Sequence, residues 1–312
     1  MNAHDITVAV SNLTKRFGPL TAVDKLGLEV KRGEIFGLVG PDGAGKTTTL
    51  RMLAAVMAPD EGSVNVDGID VVAQPEQVRE RISYMPQRFG LYEDLTVDEN
   101  IRFYADLFAV PRKLREERAA RLLAASSMEH FRKRLAGQLS GGMKQKLGLA
   151  CSLVHAPSIV LLDEPTTGVD PLSRREFWQI LYGLRAEGVT LLISTAYLDE
   201  AERCDRLALL HGGRMLYCDT PVALRARMPG ALAEFVTSTP RPLRDALQGH
   251  AGVVSVLLIG NGVHVHMDQA ERLAELEGHL HNSGVPYDDA RIVAPSIEDL
   301  FVALLGDAGA KP

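Results

Sequence analysis

Cysteine is scarce in this chain. Its 312 residues include only three, Cys151, Cys204 and Cys218, an odd number without a C-x-x-C pair. That excludes a disulfide-stapled scaffold and points to buried, reduced thiols in a cytosolic protein. A basic excess is also missing: 34 Lys and Arg face 40 Asp and Glu, for a net charge of −6. With a pI near 5.9, a nucleic-acid-coating surface is not expected, because its footprint is basic. Long apolar runs are absent too. The longest, such as 159–162 and 189–193, are strand-sized, far short of the ~18 residues that span a bilayer. Met1-Asn-Ala-His-Asp5 has no basic flank followed by an apolar stretch, so no signal peptide is expected. Work at a membrane would therefore need another chain. Internal repeats and low-complexity tracts are lacking as well.

An apolar content of 46% is ordinary for a globular protein with a sizeable core, and the length suits one large domain and one small one. Short strands are expected at 6–10, 26–30 and 35–39. The last is almost continuously apolar, as in a strand covered on both faces, and it feeds a glycine-rich loop and then a helix over 47–57. Ile159-Val-Leu-Leu162 and Val189-Thr-Leu-Leu-Ile193 repeat the buried-strand pattern, each after a helical stretch. This alternation predicts a parallel sheet in an α/β domain. Residues 95–135 hold no strand pattern and read as an all-helical insertion, with Pro111 breaking its first helix.

The composition changes near Met228-Pro229-Gly230. Beyond it the pattern predicts strand 231–238, helix 241–249, strands 252–259 and 262–267, helix 269–283, strand 286–293 and a closing helix 296–305. Asn261-Gly262 between apolar runs signals a hairpin. The expected unit is a small α+β domain of the split-βαβ kind. The expected boundaries are 5–225 for the first domain, with its helical subdomain at about 90–150, and 230–306 for the second.

Chemistry concentrates in three places. Gly40-Pro-Asp42-Gly43-Ala44-Gly45-Lys46-Thr47 fits G-x-x-x-x-G-K-[ST], with Thr48 following. Its glycines let the backbone curl so that N–H groups face phosphates, Lys46 adds a point charge, and the Thr47 hydroxyl can reach Mg²⁺. Downstream, Ile159-Val-Leu-Leu-Asp163-Glu164 carries two carboxylates to the C-terminal edge of a strand, where α/β ligands bind. Asp163 suits the Mg²⁺ shell and Glu164 a general base that deprotonates water. Two acids at a strand end are common on any surface; the phosphate loop in the same chain favours the functional reading. Leu139-Ser140-Gly141-Gly142, ahead of a helical pattern at 143–154, adds a second helix N-terminus of free N–H groups. Two phosphate-seeking helix ends in one chain suggest a nucleotide gripped from both sides, by two copies or by a partner.

That combination resembles the ATP-binding cassette ATPases over residues 5–221, and in particular the ATP-binding subunits of bacterial ABC-2-type exporters. The similarity extends to Gly90-Leu-Tyr-Glu-Asp-Leu-Thr-Val97, Tyr197-Leu-Asp-Glu-Ala-Glu202 and the tail Pro295-Ser-Ile-Glu-Asp-Leu-Phe301. The resemblance implies a P-loop ABC ATPase core with an inserted helical subdomain and a small C-terminal α+β domain. It further implies ATP and Mg²⁺ as ligands, two nucleotide-binding domains sandwiching ATP, and separate transmembrane permease subunits that export a substrate. The implied location is cytoplasmic, on the inner face of the cell membrane.

Carried over residue by residue, Gln87 would be the glutamine that touches Mg²⁺ or the attacking water. Phe17 would stack on adenine, worth ~0.5–1.5 kcal/mol, although a core phenylalanine is the plainer alternative. Ser140, Gly141 and Gly142 would contact the γ-phosphate held by the opposite chain, and Gly168-Val-Asp170 would cross to it. A helix of the membrane subunit would dock near Phe89, Leu91 and Tyr92. The sequence departs from the family at Asp42 (usually Asn), at Met143 (commonly Gln) and at Ala196, where a histidine normally contacts the γ-phosphate. A methyl group offers no such contact, so slow hydrolysis is expected unless Ser194 or Thr195 compensates. His264 and His266 alternate on one strand face and are expected to meet solvent, a two-histidine metal site being the sharper alternative; His279 and His281 are also expected to be solvated.

Other classes fit less well. A chromosome-maintenance ATPase inserts a long coiled coil between loop and signature, yet only 140 − 46 = 94 positions separate Lys46 from Ser140. A ribosome-associated ABC protein normally carries two cassettes, although the first half of a tandem would look similar. A kinase-like or GTPase P-loop protein lacks the Leu139–Gly142 element.

Overall fold

The computed structural model describes residues 5–260 and 262–309; Asn261 of the expected hairpin lies outside them. The chain divides into two compact units, 5–200 with 204–218 and 201–203 with 219–309. In chain order the first holds β1 (Ile6–Phe17), β2 (Leu20–Lys31), β3 (Ile35–Val39), α1 (Lys46–Leu53), β4 (Glu61–Val66), β5 (Ile69–Asp70), α2 (Pro75–Arg81) and β6 (Ile82–Met85). There follow α3 (Val97–Leu107), α4 (Arg112–Ala125), α5 (Gly141–Leu153), β7 (Ile159–Asp163), α6 (Pro171–Ala186), β8 (Thr190–Thr195), α7 (Leu198–Ala201), β9 (Arg206–His211) and β10 (Arg214–Asp219).

One six-stranded sheet, ordered β10-β9-β3-β8-β7-β6, organises this unit. Strands β9, β3, β8, β7 and β6 pair in parallel. Every residue of β3, β7 and β8 is buried, because both faces of the sheet are covered, as their continuous apolar runs predict. The two faces read out with a period of two. Val160, Leu162, Leu191 and Ile193 join a core with Phe177, Trp178 and the helices of the insertion. Ile159, Leu161 and Leu192 join the opposite core with Leu50, Met52 and the antiparallel sheet β2-β1-β4-β5.

Several local expectations shift. Helix α1 stops at Leu53 and not at Met57, since Ala55 has φ +54° and cannot continue a helix. Strand β1 runs past Val10 to Phe17 by register shifts around Asn12, whose φ is +51°. Pro111 does not break α3, which already ends at Leu107; it caps the start of α4. The insertion is helical, with one isolated bridge between Thr96 and Leu135, and α3 opens on a capping box of Thr96 and Glu99.

The second unit continues with α8 (Pro221–Arg225), β11 (Ala231–Val236), α9 (Pro240–Leu247), β12 (Val253–Ile259), β13 (Gly262–Met267), α10 (Arg272–Ser283), β14 (Asp289–Val293) and α11 (Ile297–Gly309). Its antiparallel sheet has the order β12-β13-β11-β14, the split-βαβ arrangement expected. One core joins Phe235, Val263 and Val265 to Leu243 and Leu276 of α9 and α10. His264 and His266 do share a face, but that face is largely covered, leaving His264 half-buried. His266 is buried and its Nε2 lies 2.6 Å from the Pro229 carbonyl. The His264 Nδ1 lies 2.8 Å from Asp299 of α11. His279 is half-buried beside the Ala246 carbonyl, at 3.2 Å, whereas His281 is exposed. Among the described residues no cluster of three or more His, Cys, Asp or Glu is arranged to hold a metal. Cys151 and Cys204 are buried and Cys218 is half-buried.

Candidate functional site

The glycine loop leaves the C-terminal end of β3 and closes onto α1. Its first N–H, on Gly40, reaches the Thr195 carbonyl at the end of β8 at 3.3 Å. Gly45 caps α1 at φ +97°, and a Cβ there would lie 2.5 Å from the Ala22 carbonyl oxygen. Only glycine satisfies both conditions. The curl places Lys46 almost wholly out of solvent, its ammonium donating to the carbonyls of Gly40 (2.8 Å) and Pro41 (3.0 Å) and pairing with Glu164 at 3.1 Å.

Parallel pairing of β7 with β8 sets Asp163 opposite Ser194. Asp163 is buried. Its Oδ1 accepts from the hydroxyls of Thr47 (2.9 Å) and Ser194 (2.7 Å), and its Oδ2 accepts from Tyr84 of β6 at 3.1 Å. Burial and then the neighbouring Asp163 charge push the Tyr84 phenol up to about 12, which keeps it a proton donor. Glu164 follows with φ +48°, a left-handed conformation rare outside glycine and characteristic of strained sites. Its carboxylate receives the Gln87 amide at 3.0 Å. Thus Lys46, Thr47, Gln87, Asp163 and Glu164, drawn from the ends of β3 and β7 and the segment after β6, converge.

Lys46, Thr47, Gln87 and Glu164 border a cavity of about 440 Å³ that also takes in Phe17, Asp42, Gly43, Ala44, Gly45 and Thr48, while the buried Asp163 does not line it. Phe17 is 45% exposed and not part of the core, and Asp42 sits exposed on the rim. Leu20, paired with Phe17 across the β1–β2 turn and 63% exposed, adds an apolar wall together with Ala22. Sequence reasoning missed Leu20; two large apolar residues flanking Gly18-Pro19 were the available signal. It missed Tyr84 as well, which only sheet order brings to Asp163.

Ser140, Gly141 and Gly142 do not border this cavity. Ser140 is the exposed N-cap of α5, its hydroxyl accepting from the Met143 N–H at 3.3 Å, and Gly141 is exposed beside it. Gly142 is buried, and a Cβ there would lie 2.5 Å from Ser173 of α6, so close helix packing demands this glycine. Asp170 caps α6 through the Ser173 N–H at 2.9 Å. Just beyond β8, in the segment whose family histidine is replaced here and which we call the switch, Ala196 is exposed. Thr195 donates to the fully buried Glu200 at 2.8 Å, and Thr166 donates to the same carboxylate at 2.7 Å. Of the residues after Gln87, Phe89 and Leu91 pack against the core and Tyr92 is 47% exposed.

A sequence profile of the ABC transporter family matches residues 23–167. The chain is 44% identical over 311 residues to the probable multidrug ABC transporter ATP-binding protein YbhF of Escherichia coli (strain K12). That alignment covers 98% of this chain and 53% of the relative, so the chain spans about half the relative's length. It is 34% identical to the daunorubicin resistance ATP-binding protein DrrA3 of Streptomyces coeruleorubidus, over 97% of each. Among solved structures it matches a dimeric ATP-binding cassette in a post-hydrolysis state bound to ADP and Pi, with a TM-score of 0.62 and 28% identity, over 68% of this chain and 98% of that one. Loop, carboxylates, sheet order and these likenesses converge: the chain belongs to the ABC transporter family of ATP-binding proteins.

Proposed function

We propose that this chain binds and hydrolyses ATP to power an ABC-2-type exporter, its nucleotide sandwiched between two nucleotide-binding domains. The observation that carries the reading is the convergence of Lys46, Thr47, Asp163 and Glu164 at the C-terminal edge of one parallel sheet. Phosphates would lie on the N–H groups of 43–48, with the Lys46 ammonium moving from carbonyl oxygens to phosphate oxygens. Phe17 and Leu20 supply an apolar surface for the base, and Glu164 accepts a proton from the attacking water while Gln87 holds its other oxygen. The donor set fits Mg²⁺: a hydroxyl and a carboxylate oxygen 2.9 Å apart are the hard ligands that ion prefers. Thr47, Asp163 and Gln87 would hold it, and when bound it neutralises phosphate charge.

The exposed Ser140 and Gly141 on α5 would close on the γ-phosphate of a second cassette, identical or different. In support, the matched structure is itself described as a dimer. The functional domains proposed are 5–225 for nucleotide chemistry and 230–306 for the appended unit. No helix among the described residues is long and apolar enough to cross a membrane, so separate permease subunits would supply the translocation path and hold the chain at the inner face. Their docking element would fill an apolar cleft of about 380 Å³ that includes Phe89, Leu107 and Phe108, the last two exposed. Export is favoured by relatives named for multidrug handling and daunorubicin resistance.

The absence of a polar side chain at position 196 favours slow turnover at this chain's own loop. Thr195 gives no relief, because its hydroxyl is committed to Glu200. The test is the oligomeric state of Glu164→Gln with ATP. A nucleotide-dependent dimer is expected; a chain that stays monomeric with ATP bound would overturn a sandwich of two identical chains.

A further inference from the structure

Two consecutive residues at the end of β8 both carry hydroxyls, and strand alternation sends them to opposite faces of the sheet. Thr195 turns to the face of Ile193 and bonds Glu200. Ser194 turns to the face of Leu192 and meets the catalytic carboxylates. It is fully buried. Its Oγ donates to Asp163 Oδ1 at 2.7 Å and accepts from the Glu164 N–H at 2.9 Å, while its own carbonyl lies 3.1 Å from the same N–H. One side chain thus grips both members of the acidic pair, across a separation of 31 positions.

The grip falls where the backbone most needs it. Glu164 has φ +48°, a conformation that persists in a non-glycine residue only when its surroundings over-determine it. That turn decides where the Glu164 carboxylate points. We propose that Ser194 is a positioning residue for ATP hydrolysis: its hydroxyl holds the left-handed turn at Glu164 and so aims the general base at the attacking water. The proposal rests on Glu164 being that base. With a methyl group at position 196, the Ser194 hydroxyl is the polar side chain of the switch strand that acts on the base, from behind and not through phosphate.

The full chain is assayed as wild type, Ser194→Ala, Ser194→Cys, Glu164→Gln and the Ser194→Ala/Glu164→Gln double variant. Steady-state phosphate release, nucleotide affinity and melting temperature are measured on each. Alanine is smaller than serine and leaves the carbonyl acceptor in place, so the fold should persist. A misaimed base commonly costs about ten- to a hundredfold in rate. Ser194→Ala should lose that much in kcat, with KM and nucleotide affinity within about twofold of wild type. Cysteine, close to serine in size but a weak hydrogen-bonding group, should fall between; should the alanine variant not fold, Ser194→Cys carries the comparison. On the Glu164→Gln background the alanine change should cost nothing further.

A Ser194→Ala enzyme at the wild-type rate, with Glu164→Gln inactive, overturns the proposal and leaves the role of Glu164 standing. So does a rate loss matched by an equal loss of nucleotide affinity, or one repeated in full on the Glu164→Gln background. Wild-type turnover in Glu164→Gln itself sinks the reading of the site, and this inference with it.

Discussion

Each unit of the chain sets a carboxylate against a side chain able to carry positive charge, and the surroundings of the two pairs differ. Lys46 and Glu164 stand 3.1 Å apart on the wall of a cavity of about 440 Å³. His264 and Asp299 stand 2.8 Å apart beside a void of only about 10 Å³. In the first pair the ammonium also leans on two main-chain carbonyls and can exchange those partners for phosphate oxygens. In the second, the carboxylate is fully engaged: it accepts from His264, from the Ser296 N–H and from the Ser296 hydroxyl, closing the start of α11 onto β13. An ion pair beside open space is equipped for a ligand; one packed against helix and sheet is a clasp. Charge proximity alone does not tell them apart.

The sharpest way to break the comparison is Glu164→Gln. A general base contributes about 10²–10⁴-fold, so phosphate release should fall by at least about a hundredfold, with nucleotide still bound. Lys46→Ala should act on binding instead. Loss of a charge-assisted hydrogen bond, about 1.5–3 kcal/mol, weakens nucleotide affinity by one to two orders of magnitude, read by titration with a fluorescent ATP analogue. Ala196→His should raise turnover by about tenfold or more, since one lost polar contact to a developing charge commonly costs ~10²–10³; an unchanged rate, alone and with a partner cassette, would dismiss the switch argument.

The smallest effect belongs to the second pair. The hydrogen bond to Asp299 raises the His264 pKa above 6.5, helped by Glu234 of β11 and Glu298 of α11 and opposed by burial. Burial works against ionisation of Asp299, but hydrogen bonds from His264 and Ser296 outweigh it and leave the carboxyl below 3.8. The raised histidine stabilises the fold fully below 6.5, and that contribution fades as pH rises through its folded value. The depressed carboxylate contributes above 3.8 and is lost as pH falls through its own folded value. The clasp is therefore strongest between these limits and loosens as pH rises through the histidine's raised folded value. Its partial exposure keeps the effect near ~1 kcal/mol. Hydrogen exchange on the whole chain should show α11 less protected at pH 9 than at pH 6, a difference that His264→Gln abolishes without touching ATP turnover.

The two regions also differ in how far they could be read in advance. Residues 40–47 are legible because the glycine loop is contiguous: glycine spacing, lysine and threonine lie within one curl of chain. Buried strands such as 159–163 are legible because a run covered on both faces must be apolar. The antiparallel sheet was less legible, since β4 buries only Val64 and Val66 of its six residues and β1 reaches its full length through bulges. His264 and His266 misled for a physical reason. Alternation shows that they share a face, yet it does not show that α11, whose Asp299 is 35 residues on, covers it.

By itself the sequence determined the glycine-rich loop, the acidic pair, the α/β alternation and the appended split-βαβ unit, because each is encoded by neighbours along the chain. Tertiary structure alone decided that Tyr84, Ser194 and Thr47 converge on Asp163, that Glu164 adopts a left-handed turn, and that Leu20 faces the cavity beside Phe17. Those contacts depend on which strands lie side by side and in what register, and strand order is set by the packing of the whole sheet.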